Sequence, residues 1–331
     1  MPVYTYLFEA KSIQSYLLTT NRLKEIVGGS EMVEALTGVG GLLDDARKAV
    51  GGEITFSRRG GGAFFAFSED ESTRNRLADL WPLLVRQHAP DLEFVQARGH
   101  GDSAKAAYDD AHPRLLADRN RPQARYPQAA PLTIRNRRSG EPATTYARSK
   151  KGAKAEPVDA ATARKLNGRF CKGAALGRRF APDAPWESWP LNLAPADGDD
   201  DERNFPFLGE DRALALVHAD GNGLGQLLIK LNQAMGANHG NYVEIFRAFS
   251  EAVSTATESA AQAATRKVLA GNQLEGVYPA RPIVLGGDDL TMLVRADLAL
   301  PFTRTFLAAF AAESELALRE PREHFGLNEI P

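Results

Sequence analysis

The 331-residue chain holds a single cysteine, Cys171. No disulfide can close within it, and no zinc site built on several cysteines can form. Histidine is scarce as well. His88, His100, His112, His218, His239 and His324 offer no close pairing, so histidine-based metal sites and acid–base dyads have no support, and His218 reads as a packed strand residue. A Ser-His-Asp ordering, a Walker-type loop and a Gly-x-Gly-x-x-Gly between strand and helix are missing too. There is no charged-then-apolar leader, and no apolar run near the ~18 residues of a membrane helix. The expectation is a cytoplasmic protein without a membrane partner. Net charge is only −2, which says little about partners until its placement is considered. Between Arg119 and Arg179 sixteen Lys or Arg face three acids, and between Asp183 and Asp211 nine acids face one arginine. The basic stretch suits RNA or ligand phosphates, or is a solvated surface. The acidic run Asp199-Asp200-Asp201-Glu202 reads as a linker, and Trp186 and Trp189 as anchors pinning that linker.

What is present is ample apolar material, 43% of residues, enough for two cores, and one organising stretch. Ile283-Val284-Leu285-Gly286-Gly287-Asp288-Asp289-Leu290-Thr291-Met292-Leu293-Val294 reads as strand, turn and strand. Two adjacent carboxylates at a hairpin tip repel each other, and a divalent cation relieves that repulsion. A second acidic strand end lies upstream, where Leu214-Ala215-Leu216-Val217-His218-Ala219 runs into Asp220 and the turn Gly221-Asn222-Gly223. A helix follows, so the turn's amides suit phosphate.

From the N-terminus, strands at 3–8, 53–57, 63–67 and 92–97 alternate with helices in the order β, α, β, β, α, β, the ferredoxin-like arrangement. Gly28-Gly29 reads as a helix stop and Ser30 as the N-cap of a helix running to about Val50. The same order recurs late in the chain, implying an internal duplication. Glu9 takes the place of Asp220, and Gly60-Gly61-Gly62-Ala63 that of Gly286-Gly287-Asp288-Asp289 (286 − 60 = 226). The first copy therefore lacks both hairpin carboxylates. The expected class is α+β, with a first domain at 1–100, a weakly periodic basic module and acidic linker at 101–210, and a second domain at 211–331. That second copy ends without a fourth strand, so the chain reads as truncated.

If Asp220, Asp288 and Asp289 converge, they make an oxygen-only site suited to Mg²⁺ or Mn²⁺. Two such ions ~4 Å apart would serve nucleotidyl transfer from ATP. A plain polar turn is the other reading of Gly-Gly-Asp-Asp; the second acidic strand end and the duplication favour the metal.

Leu7-Phe8-Glu9-Ala10-Lys11-Ser12-Ile13-Gln14-Ser15-Tyr16, Asn21 through Ser30, Asp220 through Gly225 and Gly286-Gly287-Asp288-Asp289 together resemble the large polymerase-like subunit of type III CRISPR effector complexes, the Csm and Cmr kind. The resemblance implies two palm domains related to polymerase palms and GGDEF cyclases. It also implies conversion of ATP to cyclic oligoadenylates, second messengers of antiviral defence. By position, Asp220, Asp288 and Asp289 would hold two metal ions, with Asp288 and Asp289 catalytic. Gly286 and Gly287 would shape the hairpin, Gly221, Asn222 and Gly223 would meet the triphosphate, and Gly29 and Ser30 would lie near a second ATP. RNA and other effector subunits would be partners.

Three departures accompany the resemblance. The chain begins on the first palm with no His-Asp dipeptide, so a DNase domain is not implied. Asn136 stands where a zinc ribbon's first cysteine would be, which reads as a zinc-free remnant with Cys171 left isolated. The expected fourth strand and C-terminal domain are missing. A non-catalytic scaffold holding RNA or subunits, and a stand-alone cyclic dinucleotide synthase, are the alternative functions.

Overall fold

A computed structural model describes the chain apart from residues 122–131, 149, 173, 195–202, 236–240 and 320–331. The acidic run at 199–202, His239 and His324 lie outside the described residues, as does the place of the missing fourth strand; so does the Cys171 side chain. The elements run β1 (Val3–Lys11), α1 (Ile13–Leu17), α2 (Leu23–Thr37), α3 (Leu42–Val50), β2 (Thr55–Gly60), β3 (Ala63–Ser68), α4 (Glu71–His88), β4 (Glu93–Gly101) and α5 (Ala104–Asn120). A middle stretch follows, with β5 (Thr145–Ala147), β6 (Glu156–Val158), α6 (Ala160–Lys165), α7 (Gly168–Cys171) and α8 (Ala174–Phe180). Then come β7 (Leu214–Ala219), α9 (Leu224–Ala234), α10 (Tyr242–Ala264), β8 (Ala280–Gly286), β9 (Asp289–Arg295) and α11 (Ala296–Ala317).

The class is α+β. The first sheet is antiparallel in the order β2-β3-β1-β4, and the second, among the described residues, has the order β7-β9-β8. Matching β7 to β1, β8 to β2 and β9 to β3 makes the two orders identical, with no described counterpart of β4. Irregularities match as well. The register slips at Ser57, between Phe56 and Arg58, and at Ile283, between Pro282 and Val284. Their separation is 283 − 57 = 226, the offset that relates the two glycine turns.

The two units share their cores. One face of the first sheet packs Tyr6, Phe8 and Phe64 against Trp81 of α4 and Leu36 of α2, and this cluster takes in Ile283 of β8. The other face offers Leu7, Phe65 and Phe67. It is covered by Ala111 and Leu115 of α5 and by Leu227, Leu231, Phe249 and Val253 of α9 and α10. The second sheet buries Leu290, Met292 and Val294 against Phe302 and Phe306 of α11, together with Leu176, Phe180 and Trp189 from the middle stretch. Trp189 is an anchor, stacked on Tyr278 at 4.5 Å.

Two expectations need correction. Gly28, Gly29 and Ser30 lie inside α2, with neither a stop nor an N-cap at that point; the break falls at Gly38–Gly41. A Cβ on Gly28 would stand 1.9 Å from the Lys165 carbonyl oxygen, so this glycine serves a close approach of α6 to α2. The stretch after residue 100 opens with a 17-residue helix, α5. Its buried stripe of Ala107, Ala111 and Leu115 is too small-sided to stand out as periodicity. The segment Leu23–Val50 is apolar and long enough to pass as a membrane span by composition. It is two helices, α2 and α3, packed into the first core.

Candidate metal centre

Strand β7 ends at Ala219, leaving Asp220 at the turn into α9, while the hairpin of β8 and β9 turns at Gly287 and Asp288. Because β7 pairs with β9, with Ala219 opposite Leu290, the two acidic ends are neighbours. Carboxylate oxygens of Asp220, Asp288 and Asp289 all lie within 4.8 Å of one another. Asp220 is exposed, and the other two are half-buried.

The electrostatics fit a cation. Burial, and after it the hydrogen-bonded Asp220 carboxyl, push Asp289 up to about 7. Burial raises Asp288 too, against the lowering effect of its own and the Gly221 backbone amides, with Asp220 adding to the rise. Three carboxylates held this close, two of them resisting ionisation, are a hard-cation donor set. Gly221 belongs to this arrangement by close approach, since a Cβ there would lie 2.6 Å from the Asp288 Cβ. Asn222 is exposed, and Gly223 is the N-cap of α9 in a left-handed conformation. Gly287 offers its carbonyl oxygen to Thr257 Oγ1 of α10 at 2.6 Å, which fixes the turn from behind.

Gly29 and Ser30 are buried at the seam between the units. Ser30 Oγ donates to the Ile283 carbonyl oxygen, the bulged residue of β8. The reciprocal contact runs the other way, from Arg247 Nε of α10 to the Phe56 carbonyl oxygen beside the β2 bulge, at 2.8 Å. His218 is exposed rather than packed, its Nδ1 2.9 Å from Thr291 Oγ1 across the strands.

A cavity of about 410 Å³ opens beside the triad, lined by Asp288 and Gly287 and by Arg58, Glu9 and Arg119. Phe65, Tyr108, Phe246 and Phe249 give it an apolar wall. Sequence reading passed over these aromatics and Arg58, because they come from β2, β3, α5 and α10 and meet only in the fold. An arginine two residues before a triglycine turn was the one available signal.

Much of the basic stretch is engaged internally. Arg138 pairs with the fully buried Glu25 at 2.8 Å and with Glu156 at 2.8 Å. Arg179 reaches Glu34, Glu258 and the Leu285 carbonyl oxygen. Asn136, at the zinc-ribbon position, donates to Asp159 at 2.6 Å and to Thr162 at 3.0 Å, and Ser139 also donates to Asp159. A hydrogen-bonded cluster of Asn136, Ser139, Asp159 and Thr162 thus joins these loops without a metal ligand set.

Taken together, two related antiparallel sheets meet head to head with a carboxylate triad and a cavity at their junction. Among solved structures this chain is similar to Csm1 in T.onnurineus, at TM-score 0.52 and 13% identity, over 94% of this chain and 47% of that one. It shares the fold of Csm1, the kind of subunit its motifs resemble, and spans about half that protein's length. Csm1-Csm4 cassettes solved in complex with cA4 and with pppApA are also similar, at TM-scores of 0.48 and 0.45, 12% identity, 95% of this chain and 48% of theirs. No family model and no curated protein matches the sequence.

Proposed function

We propose that this chain is a cytoplasmic, metal-dependent nucleotidyltransferase. It joins ATP into cyclic oligoadenylates as part of a type III CRISPR effector complex, with RNA and other effector subunits as partners. On this reading the two units are ferredoxin-like palms, occupying about residues 1–100 and 211–331. The observation that carries it is the convergence of Asp220, Asp288 and Asp289, with Asp288 lining an apolar-walled cavity. A scaffold has no use for three carboxylates held this close, because their mutual repulsion lowers stability.

Asp220, Asp288 and Asp289 would hold Mg²⁺ or Mn²⁺, and the bound ions would supply activation of a 3′-hydroxyl and stabilisation of the leaving pyrophosphate. At the start of α9 the amides of Asn222 and Gly223 would meet the triphosphate, while the Gly221 amide holds the Asp288 carboxylate. Phe246, Phe249 and Tyr108 receive the base. Gly286 and Gly287 shape the hairpin. Gly29 and Ser30 act from behind it, Ser30 fixing β8 through Ile283.

The test is mass spectrometry of products formed from ATP and Mn²⁺ by the full-length protein and by Asp288→Ala/Asp289→Ala. Oligoadenylates from the parent, and ~10³-fold less from the double variant, are expected. Equal rates would remove the metal assignment. No product from the parent with its activating RNA present would leave the scaffold reading.

A further inference from the structure

Glu9 holds the place in the first unit that Asp220 holds in the second, and its surroundings have the opposite sign. Its Oε1 lies 3.3 Å from Arg58 Nη1 and its Oε2 lies 3.3 Å from Arg119 Nη1, with the Glu9 side chain 14% exposed. Arg58 faces two ways. It pairs with Glu9 and lines the same cavity as Asp288. A guanidinium paired with Glu9 therefore shares one cavity with a carboxylate of the triad.

We infer that Arg58 is the phosphate-orienting residue that the first unit contributes to the cavity, docked on Glu9 when no nucleotide is present and turned to a nucleotide phosphate when one enters. This rests on the nucleotidyltransferase reading above and names a residue that reading leaves out.

The exchange is physically cheap. The Arg58 side chain is 48% exposed and meets Glu9 through one nitrogen, and exposed ion pairs of this kind contribute little. A phosphate offers a bidentate, charge-assisted bond instead. Glu9 is the less exposed partner and could not be left bare without cost. Arg119 on its second oxygen keeps it neutralised when Arg58 leaves. The guanidinium also sits over the Phe65 ring, 5.5 Å from its centroid, which gives its planar group a surface to slide on while it changes partners.

The experiment measures binding of a β,γ-imido ATP analogue with Mn²⁺ to the full-length protein by calorimetry, and binding of Mn²⁺ alone by electron paramagnetic resonance. Arg58→Ala should weaken analogue binding about tenfold or more and Arg58→Lys by less, since a lysine keeps charge and loses the fork. Mn²⁺ alone should bind Arg58→Ala as tightly as the parent or more so, because a competing positive charge is gone. Glu9→Gln should bind the analogue at least as tightly as the parent, a result that a purely structural Glu9–Arg58 pair would not give. Analogue binding by Arg58→Ala within about twofold of the parent, while Asp288→Ala/Asp289→Ala loses it, would overturn this inference and leave the proposed function standing. A parent protein that binds no analogue with Mn²⁺ present would overturn both.

Discussion

Gly286 and Gly61 touch across the seam. A Cβ built on Gly286 would stand 3.2 Å from the Gly61 Cα. The turns that correspond between the two copies are thus also the turns that face each other, and the carboxylate-bearing hairpin is braced by the one that lacks carboxylates. A methyl group at this spacing needs its neighbour to yield by a few tenths of an ångström. Gly286→Ala should fold and lose about 1 kcal/mol, and Gly286→Leu about 3 kcal/mol, as overpacking does. Urea titrations read both. Equal midpoints for parent and Gly286→Leu would mean that the tips do not meet.

The triad sets a pH dependence for the metal-free protein. Asp289 titrates near 7 in the fold and near 3.8 unfolded, so between those values the native state holds the extra proton. Stability is then full below about 4 and falls as pH rises toward 7. Thermal melts in EDTA should show the fall, Asp289→Asn should flatten it, and Mn²⁺ should raise the midpoint most at pH 7 and above. A flat profile for the parent would contradict the crowding of carboxylates.

Lys165 gives a dependence of opposite direction. Burial pushes its ammonium down to about 8 from 10.5. Between those values the unfolded chain binds more protons, and stability rises with pH. The parent should gain on Lys165→Met by on the order of 3 kcal/mol from pH 8 to 10.5. Chemical denaturation at three pH values measures the slope, and parallel curves would mean that Lys165 is hydrated in the fold.

Arg138 belongs to the fold more than to any RNA surface. Its partner Glu25 is fully buried, and removing the cation leaves that charge without its ion-pair partner. Arg138→Ala should cost about 3 kcal/mol or more. Arg135→Ala and Arg137→Ala, on exposed side chains, should stay within about 0.5 kcal/mol. If RNA is bound here, the latter two should reduce the slope of log affinity against log salt by about one each. An unchanged slope would remove this stretch from the RNA path.

The triad was legible because each of its parts is local: an apolar strand followed by Asp220, and a glycine turn followed by Asp288 and Asp289. Pairing of β7 with β9 then brings them together with no further information. The sheet order followed from the same alternation of strands and helices. Gly28 and Gly29 misled, since a glycine pair signals a stop only when nothing packs against it, and Lys165, far along the chain, is what packs there. Likewise, Arg58 becomes notable only beside Glu9, Arg119 and Asp288, which come from three elements and a turn. The middle stretch looked like a charged surface because its count of lysines and arginines conceals how many have buried or half-buried partners.

The shared cores carry a consequence for how the chain can come apart. Leu7, Phe65 and Phe67 are covered by helices of the second copy, and Ile283 of the second copy sits in the core of the first. Melting one copy would bare an apolar face of the other, so unfolding should be a single cooperative transition. Neither half could be shed, swapped or inherited alone once the helices had crossed. The turns at Gly61 and Gly286 lie outside these shared cores, so the acids at one tip and their absence at the other disturb neither core.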